Sequence, residues 1–366
     1  MNDFLTPLRL TEDLPPSKVD IARAVRDGRR RERNRMLLAA AACVVVGAVV
    51  IGATAFAADR RPAPPPADEF VLNGCEVQRL PTSGTFAAAS NQYLAGALDG
   101  TILLWSNGTL RQIEDAPQPD PTPAAVNDSG AVVGNSGDNA PWLMQDGRFT
   151  PLATPPDTTR VSVAAINANG FIVGTAWTPD SKARIVRWNV AHPDQVEYVT
   201  TSPAVAYAAG IGADGTIVGR GQDAPGDFHA YAWTADGTPM PLNRANGRPA
   251  GGASAIAGDW AVGSYEDGST WFDQGVRWNL RTGEAVDLGT FVPSGVDTTG
   301  RMFGVLMNGV DETPPAWWKN GEVLLLPVLS AGESATVSSM SPDGQTAAGW
   351  LYRAKNDPVT PVRWRC

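Results

Sequence analysis

The sequence predicts an all-β fold: a seven-bladed β-propeller with an N-terminal strand closing the last blade, preceded by a single transmembrane helix. Three observations predict it. A unit of about 42 residues recurs seven times after residue 70. Each unit holds four short strand candidates separated by turn residues, and periods of 40–50 residues with four strands are the signature of propeller blades. Twelve tryptophans, 38 glycines and 30 prolines among 366 residues supply a recurring aromatic position and the turns. The glycines and prolines inside every unit also exclude a helical solenoid.

The chain divides before the repeats begin. Residues 36–58 (MLLAAAACVVVGAVVIGATAFAA) form a run of 23 residues without a charge. At ~1.5 Å per residue the run spans roughly 34 Å, enough for a bilayer core of about 30 Å. Arg29, Arg30, Arg31, Arg33 and Arg35 stand just before it. The positive-inside rule then places residues 1–35 in the cytoplasm as a basic tail and the remainder outside. Ala55-Phe56-Ala57 has the form of a cleavage site, but the apolar run exceeds the usual length of a signal-peptide core, so an anchor is expected. Residues 59–69 (DRRPAPPPADE) read as a Pro-rich spacer. In polyproline II form it reaches roughly 30 Å.

Net charge follows the same division. The formal value of −9 combines a tail with 9 basic and 6 acidic side chains and a region 59–366 with 20 basic and 32 acidic ones. An acidic exported domain makes nucleic acid an unsuitable partner. In the tail, Ser17 is placed to cap a short helix with Val19, Ala22 and Val25 on one face. About 35 residues cannot build an enzymatic domain. The tail sets topology, with docking of a cytoplasmic protein as the alternative role.

The clearest repeat is AAINANGFIVGTA (Ala164 to Ala176) followed by ARIVRWN (Ala183 to Asn189). An Asn-x-x-Gly or Asp-Gly segment turns the chain between the first two strands. The second strand closes on Gly96, Gly134, Gly174, Gly219, Gly263, Gly304 and Gly349 in turn, at spacings between 38 and 45 residues. A tryptophan follows each glycine: Trp105, Trp142, Trp188, Trp233, Trp278, Trp318 and Trp364. These are expected to pack the blades.

The two ends of residues 70–366 complete the count. The seventh unit ends at PVRWRC and lacks a fourth strand, while the exported region opens with VLNGCEVQRLP, which reads as a fourth strand with no first three. Ring closure by the N-terminal strand accounts for both, and it brings Cys75 to Cys366. A Cys75–Cys366 disulfide is expected in an oxidising compartment. Cys43 belongs to the apolar run.

The A-x-x-I-N-x-x-G-x-V-V-G unit with its tryptophan strand resembles the bacterial extracellular HAF repeat, over about residues 85–365. The resemblance implies a propeller and an exported location, and it carries no catalytic residues. The tail resembles the N-termini of bacterial membrane regulators, including anti-sigma-type proteins, without their zinc-binding His/Cys motif.

A site is expected on the top face, where the loops after second and fourth strands gather. The loops after the second strands lengthen from the third blade onward. They and their flanks carry Trp177, Asp227, His229, Tyr265, Asp267, Trp271, Asp273, Asp311 and Trp350. Aromatics beside carboxylates suit sugar stacking or a cationic partner. Two histidines and three cysteines leave no zinc pattern, and no nucleophile elbow, phosphate loop or dinucleotide fingerprint occurs. No catalytic residue, metal or cofactor is therefore expected. The reading is a non-catalytic binding or sensing module of the cell envelope. One alternative is a regulator whose tail holds a cytoplasmic partner. The other is a glycan hydrolase, because Ser264 to Trp271 (SYEDGSTW) resembles the Asp-box of sialidase-like propellers with Glu266 in the Asp place.

Overall fold

Each repeat folds around one glycine. In all seven units it lies opposite the inner strand, and a Cβ there would stand 1.9–2.3 Å from an inner-strand carbonyl oxygen. In the third unit that oxygen belongs to Ser162, in the fourth to Tyr207. No side chain fits, which is why the sequence returns to glycine every 38–45 residues. Directly after that pairing, every inner strand carries a β-bulge, as between Val163 and Ala165 or Val337 and Ser339. The bulged residue is Ala87, Ala124, Ala164 or Ala209 in the first four units and Ser254, Ser294 or Ser338 in the last three. A bulge sharpens local twist, and small residues let seven such strands converge.

The computed structural model describes residues 70–366, apart from 138–139, 200–202, 204, 225–226, 267–272, 309–312 and 355–356. The expected cytoplasmic tail (residues 1–35), the expected membrane span (36–58) and the expected spacer (59–69) lie outside the described residues. Among the described residues no helix is long and apolar enough to cross a membrane. Those residues form seven antiparallel sheets, each ordered first to fourth strand from the axis outward. Blades one to six cover residues 85–113, 122–151, 160–198, 205–241, 252–289 and 291–325. Each inner strand contacts the inner strand of the next blade, and the seventh contacts the first, so the ring is closed.

Closure follows the expected route with one addition. Cys75–Arg79 is the fourth strand of blade seven, pairing Glu76 with Arg365 and Arg79 with Val362. A further short strand, Phe70–Leu72, pairs outside it, with Leu72 opposite Cys75. VLNGCEVQR is thus a hairpin rather than a single strand. Asn73 and Gly74 both take positive φ (54° and 79°), as a two-residue hairpin turn requires. The first described residue, Phe70, thus lies opposite Val77, midway along the fourth strand of blade seven. The Cys75–Cys366 disulfide is present.

The core lies between blades rather than within them. One cluster joins Val173 and Ile185 of blade three to Ile217, Tyr231 and Trp233 of blade four. Trp188, Trp278 and Trp364 each donate an indole N–H to a carbonyl near the end of the preceding blade, Ala153, Asn243 and Pro327. Six of the seven marker tryptophans pair with the residue two before the repeat glycine. Trp142 is the exception: it faces Gly134 directly, and Met144 holds the marker position. Trp318 keeps the register but is half-buried, and its neighbour Trp317 is the buried one.

The turns between first and second strands knit the bottom face. Asn167 Oδ1 accepts the Phe171 N–H at 2.9 Å, and its Nδ2 donates to Gly212 O of the next blade at 2.9 Å. Asn127 repeats this toward Asn167 O. Asp297 takes the same place in blade six, accepting the Thr299 and Arg301 N–H groups. The motif asparagine thus satisfies its own turn and ties down its neighbour.

Candidate functional site

The inner strands enclose an axial cavity of about 320 Å³ that opens at the bottom end. Its walls are mainly alanine, glycine and serine with a ring of larger aliphatics such as Ile166, Ile211 and Ile256, and turn asparagines stand at the mouth. It offers little charge, and the distinctive chemistry lies at the other end.

On the top face, blades three and four carry a band of alternating arginines and aromatics. Arg160 heads the inner strand Arg160–Ile166, and its guanidinium lies 3.8 Å from the Trp177 ring centroid. Arg160 and Trp177 are cross-strand partners, which fixes the stack. Trp177 meets Tyr207 of blade four at 5.9 Å, and Tyr207 meets Phe228 at 5.7 Å. Arg220 lies 4.9 Å from Tyr207 and 5.0 Å from Phe228. Arg160 and Arg220 are exposed; the three rings are half-buried. Among the described residues neither arginine forms an ion pair. Asp180, on the adjoining loop, is held by Lys182 at 2.7 Å and by Thr178, whose hydrogen bonds bring its carboxyl down to about 2. The carboxylate is ionised, and its ion pair is with Lys182 and not with Arg160.

The residues singled out in the sequence separate into several environments. Trp177 joins the band as the last residue of the strand Phe171–Trp177. Asp227 and His229 lie in the strand Asp227–Trp233, not in a loop, because the hairpin of blade four extends outward. Asp227 is exposed, and His229 Nδ1 is buried with no hydrogen-bond partner among the described residues. Tyr265 is 4% exposed, with Arg244 stacked 3.5 Å from its ring centroid and its hydroxyl donating to Gln274. Asp273 is exposed beside that strand pair. Trp350 is a half-buried mid-strand residue paired with Thr336 and Pro361, not a loop aromatic. Asp267, Trp271 and Asp311 lie outside the described residues, as does most of the Asp-box-like stretch. Among the described residues no cluster of three or more His, Cys, Asp or Glu could hold a metal.

Sequence reading missed Arg160, Tyr207, Arg220 and Arg244. One signal was visible: Arg220 directly follows the repeat glycine Gly219, where other blades have Thr175 or Asn135. Thr175 and Asn135 bond the inner strand of the next blade from that position. Arg220 likewise lies against blade five, its Cβ close to Gly252.

Beside the band, Tyr231 donates its hydroxyl to Asp223, 2.7 Å from both carboxylate oxygens. Burial and this carboxylate push the phenol up to about 12. Tyr231 is therefore a fixed neutral donor.

No family model matches the chain, and no curated protein matches it in sequence. Its likeness is to solved structures. A puromycin-hydrolysing peptidase from Mycobacterium tuberculosis matches over 76% of this chain with a TM-score of 0.55 and 12% identity. The match covers 51% of the peptidase, so this chain spans about half of it. The β-propeller domain of the trilobed protease from Pyrococcus furiosus, described as having an open velcro topology, matches over 77% of this chain and 93% of its own (TM-score 0.51, 8% identity). YCF48 bound to D1 peptide matches over 81% and 96% (TM-score 0.50, 13% identity). At these identities the matches show the propeller fold alone.

Proposed function

We propose that this chain is a non-catalytic binding or sensing module of the bacterial cell envelope. Residues 36–58 hold it in the membrane with the propeller outside, and its ligand is an acidic envelope polysaccharide lying across the top of blades three and four. The observation that carries this reading is the arginine–aromatic band. Arg160 and Arg220 present two guanidiniums on an apolar floor of Trp177, Tyr207 and Phe228. A guanidinium stacked on a ring keeps its in-plane donors free for carboxylates. The sequence suggested aromatics beside carboxylates and hence sugar stacking or a cationic partner. With arginines already on those rings, the complementary charge is negative.

The band is a local exception on an acidic domain. It engages an anion only at short range, and salt weakens it. The resemblance of the repeats to the extracellular HAF repeat supports the exported placement. YCF48 carries a peptide on the same fold, but function lives in the site and not in the architecture.

The test is a binding assay of the purified protein against acidic and neutral envelope polysaccharides, with Arg160→Ala and Arg220→Ala variants. Binding of the acidic polymers alone, weakened at least tenfold by each substitution, is the expected result. Binding that ignores both substitutions, or no binding, contradicts the reading. Glycan turnover by the same protein would favour the hydrolase alternative.

A further inference from the structure

Three blades carry an arginine one residue before the marker tryptophan: Arg187, Arg277 and Arg363. Each lies at the junction with the following blade, but their charges are met differently. Arg187 is cross-strand partner to Glu197, which it binds at 2.6 Å, and it also donates to Ala235 O of blade four. Arg277 is enclosed between Trp260 and Trp318, with ring centroids at 4.4 and 4.2 Å, and donates to Gly300 O. Arg363 stands where the N-terminal strand closes the ring. Its cross-strand partner is Gln78, which takes one N–H at 2.6 Å but brings no charge. Its other face lies 4.2 Å from the Trp105 ring centroid of blade one.

In front of Arg363 a polar pocket of about 280 Å³ opens on the bottom face between blades seven and one. Arg365 also lines it. Two carboxylates lie nearby, Asp343 in the pocket lining, with Oδ1 accepting the Ser341 hydroxyl and the Gln345 N–H, and Glu76, the cross-strand partner of Arg365; among the described residues neither forms an ion pair with Arg363. Burial of the guanidinium and, after it, the neighbouring Arg365 draw Arg363 below its ordinary value, and the Glu76 carboxylate offsets this only in part. Around the rim, Gln92, Asn107 and Gln345 are exposed amides, suited to hydroxyl groups.

We infer that this pocket binds an acidic monosaccharide unit of uronate type, its carboxylate on Arg363 and its hydroxyls on Gln92, Asn107 and Gln345. The carboxylate takes the part that Glu197 plays toward Arg187 in blade three. The site is separate from the top-face band and does not depend on it. Its volume admits one sugar ring and not a polymer segment.

The experiment titrates glucuronate, with glucose as the neutral control, into the full-length protein in detergent micelles. Glucuronate is expected to bind saturably and glucose not to bind. Gln78→Glu supplies an internal carboxylate to Arg363, so it should lower glucuronate affinity at least tenfold while leaving the thermal midpoint unchanged or raised. Arg363→Gln should lose the same binding, and Arg160→Ala on the top face should keep it. Equal binding of glucose and glucuronate, no glucuronate binding, or wild-type affinity in Gln78→Glu overturns the inference. An unchanged or raised thermal midpoint in Gln78→Glu distinguishes loss of binding from loss of folding.

Discussion

At the scale of single residues the repeat glycines carry the sharpest constraint. A Cβ at Gly219 would stand 1.9 Å from Tyr207 O and close to Tyr207 C and Ala208 Cα, all inner-strand backbone that cannot swing aside as a side chain would. Gly219→Ala is expected to destabilise the propeller by about 3 kcal/mol, as overpacking in a rigid core does. Chemical denaturation measures it. Tyr231 gives a second, independent reading. Its folded value of about 12 lies above the ordinary 10, so the folded state holds the proton more tightly. The stabilisation is then fully present below pH 10 and lost as pH rises through 10 to 12. A spectrophotometric titration should show one tyrosine ionising near pH 12, absent in Tyr231→Phe. Ionisation of every described tyrosine near pH 10 would contradict it. These residues differ in how visible they were. The glycines announce themselves by recurrence. The Tyr231–Asp223 contact occurs once, across one hairpin, and leaves no pattern to find.

At the scale of elements, the blades were legible and their junctions were not. Four strands per unit, the Asn-x-x-Gly turns and the closing strand follow from local chemistry repeated seven times. The hairpin at Asn73-Gly74 was missed although Asn-Gly is a strong turn signal, because the missing-strand argument required only one strand there. The offset of Trp142 was missed for a related reason: sequence spacing fixes the presence of a tryptophan, and hydrogen-bond register fixes its position. The arginines before the marker tryptophans lie one residue from a recognised landmark, but their partners belong to other strands or to the next blade. Arg277, between Trp260 and Trp318, tests their worth as ties between blades. Cation–π contacts contribute about 0.5–1 kcal/mol when exposed and about 2 when desolvated. Arg277→Ala should therefore cost about 2 kcal/mol in a denaturation experiment, and Arg277→Lys less. An unchanged midpoint in Arg277→Ala would remove the junction role.

At the scale of the whole molecule, the ring is closed twice, by the strand Cys75–Arg79 and by the disulfide that joins residues 291 apart. In the chain-entropy account a loop of that length is worth about 5–6 kcal/mol, less any strain. Cys75→Ser, or reduction of the wild type, is expected to lower the thermal midpoint by several degrees, with retention of the β signal at 25 °C because the strand pairing survives. No change on reduction would contradict the closure argument. The candidate site belongs to this scale too. Arg160, Trp177, Tyr207, Arg220 and Phe228 come from two blades and five strands, and only the ring brings them together. The sequence exposed Trp177 as a top-face aromatic but not the sign of the charge beside it, since a stacked arginine is chosen by geometry and not by spacing. That sign is the centre of the functional proposal. The most direct measurement is the affinity of the purified protein for an acidic envelope polysaccharide as salt is raised, in wild type and in Arg160→Ala/Arg220→Ala. The account predicts binding that weakens with salt and falls at least tenfold in the variant. Equal affinity in both proteins, or a preference for the neutral polymer, would contradict it.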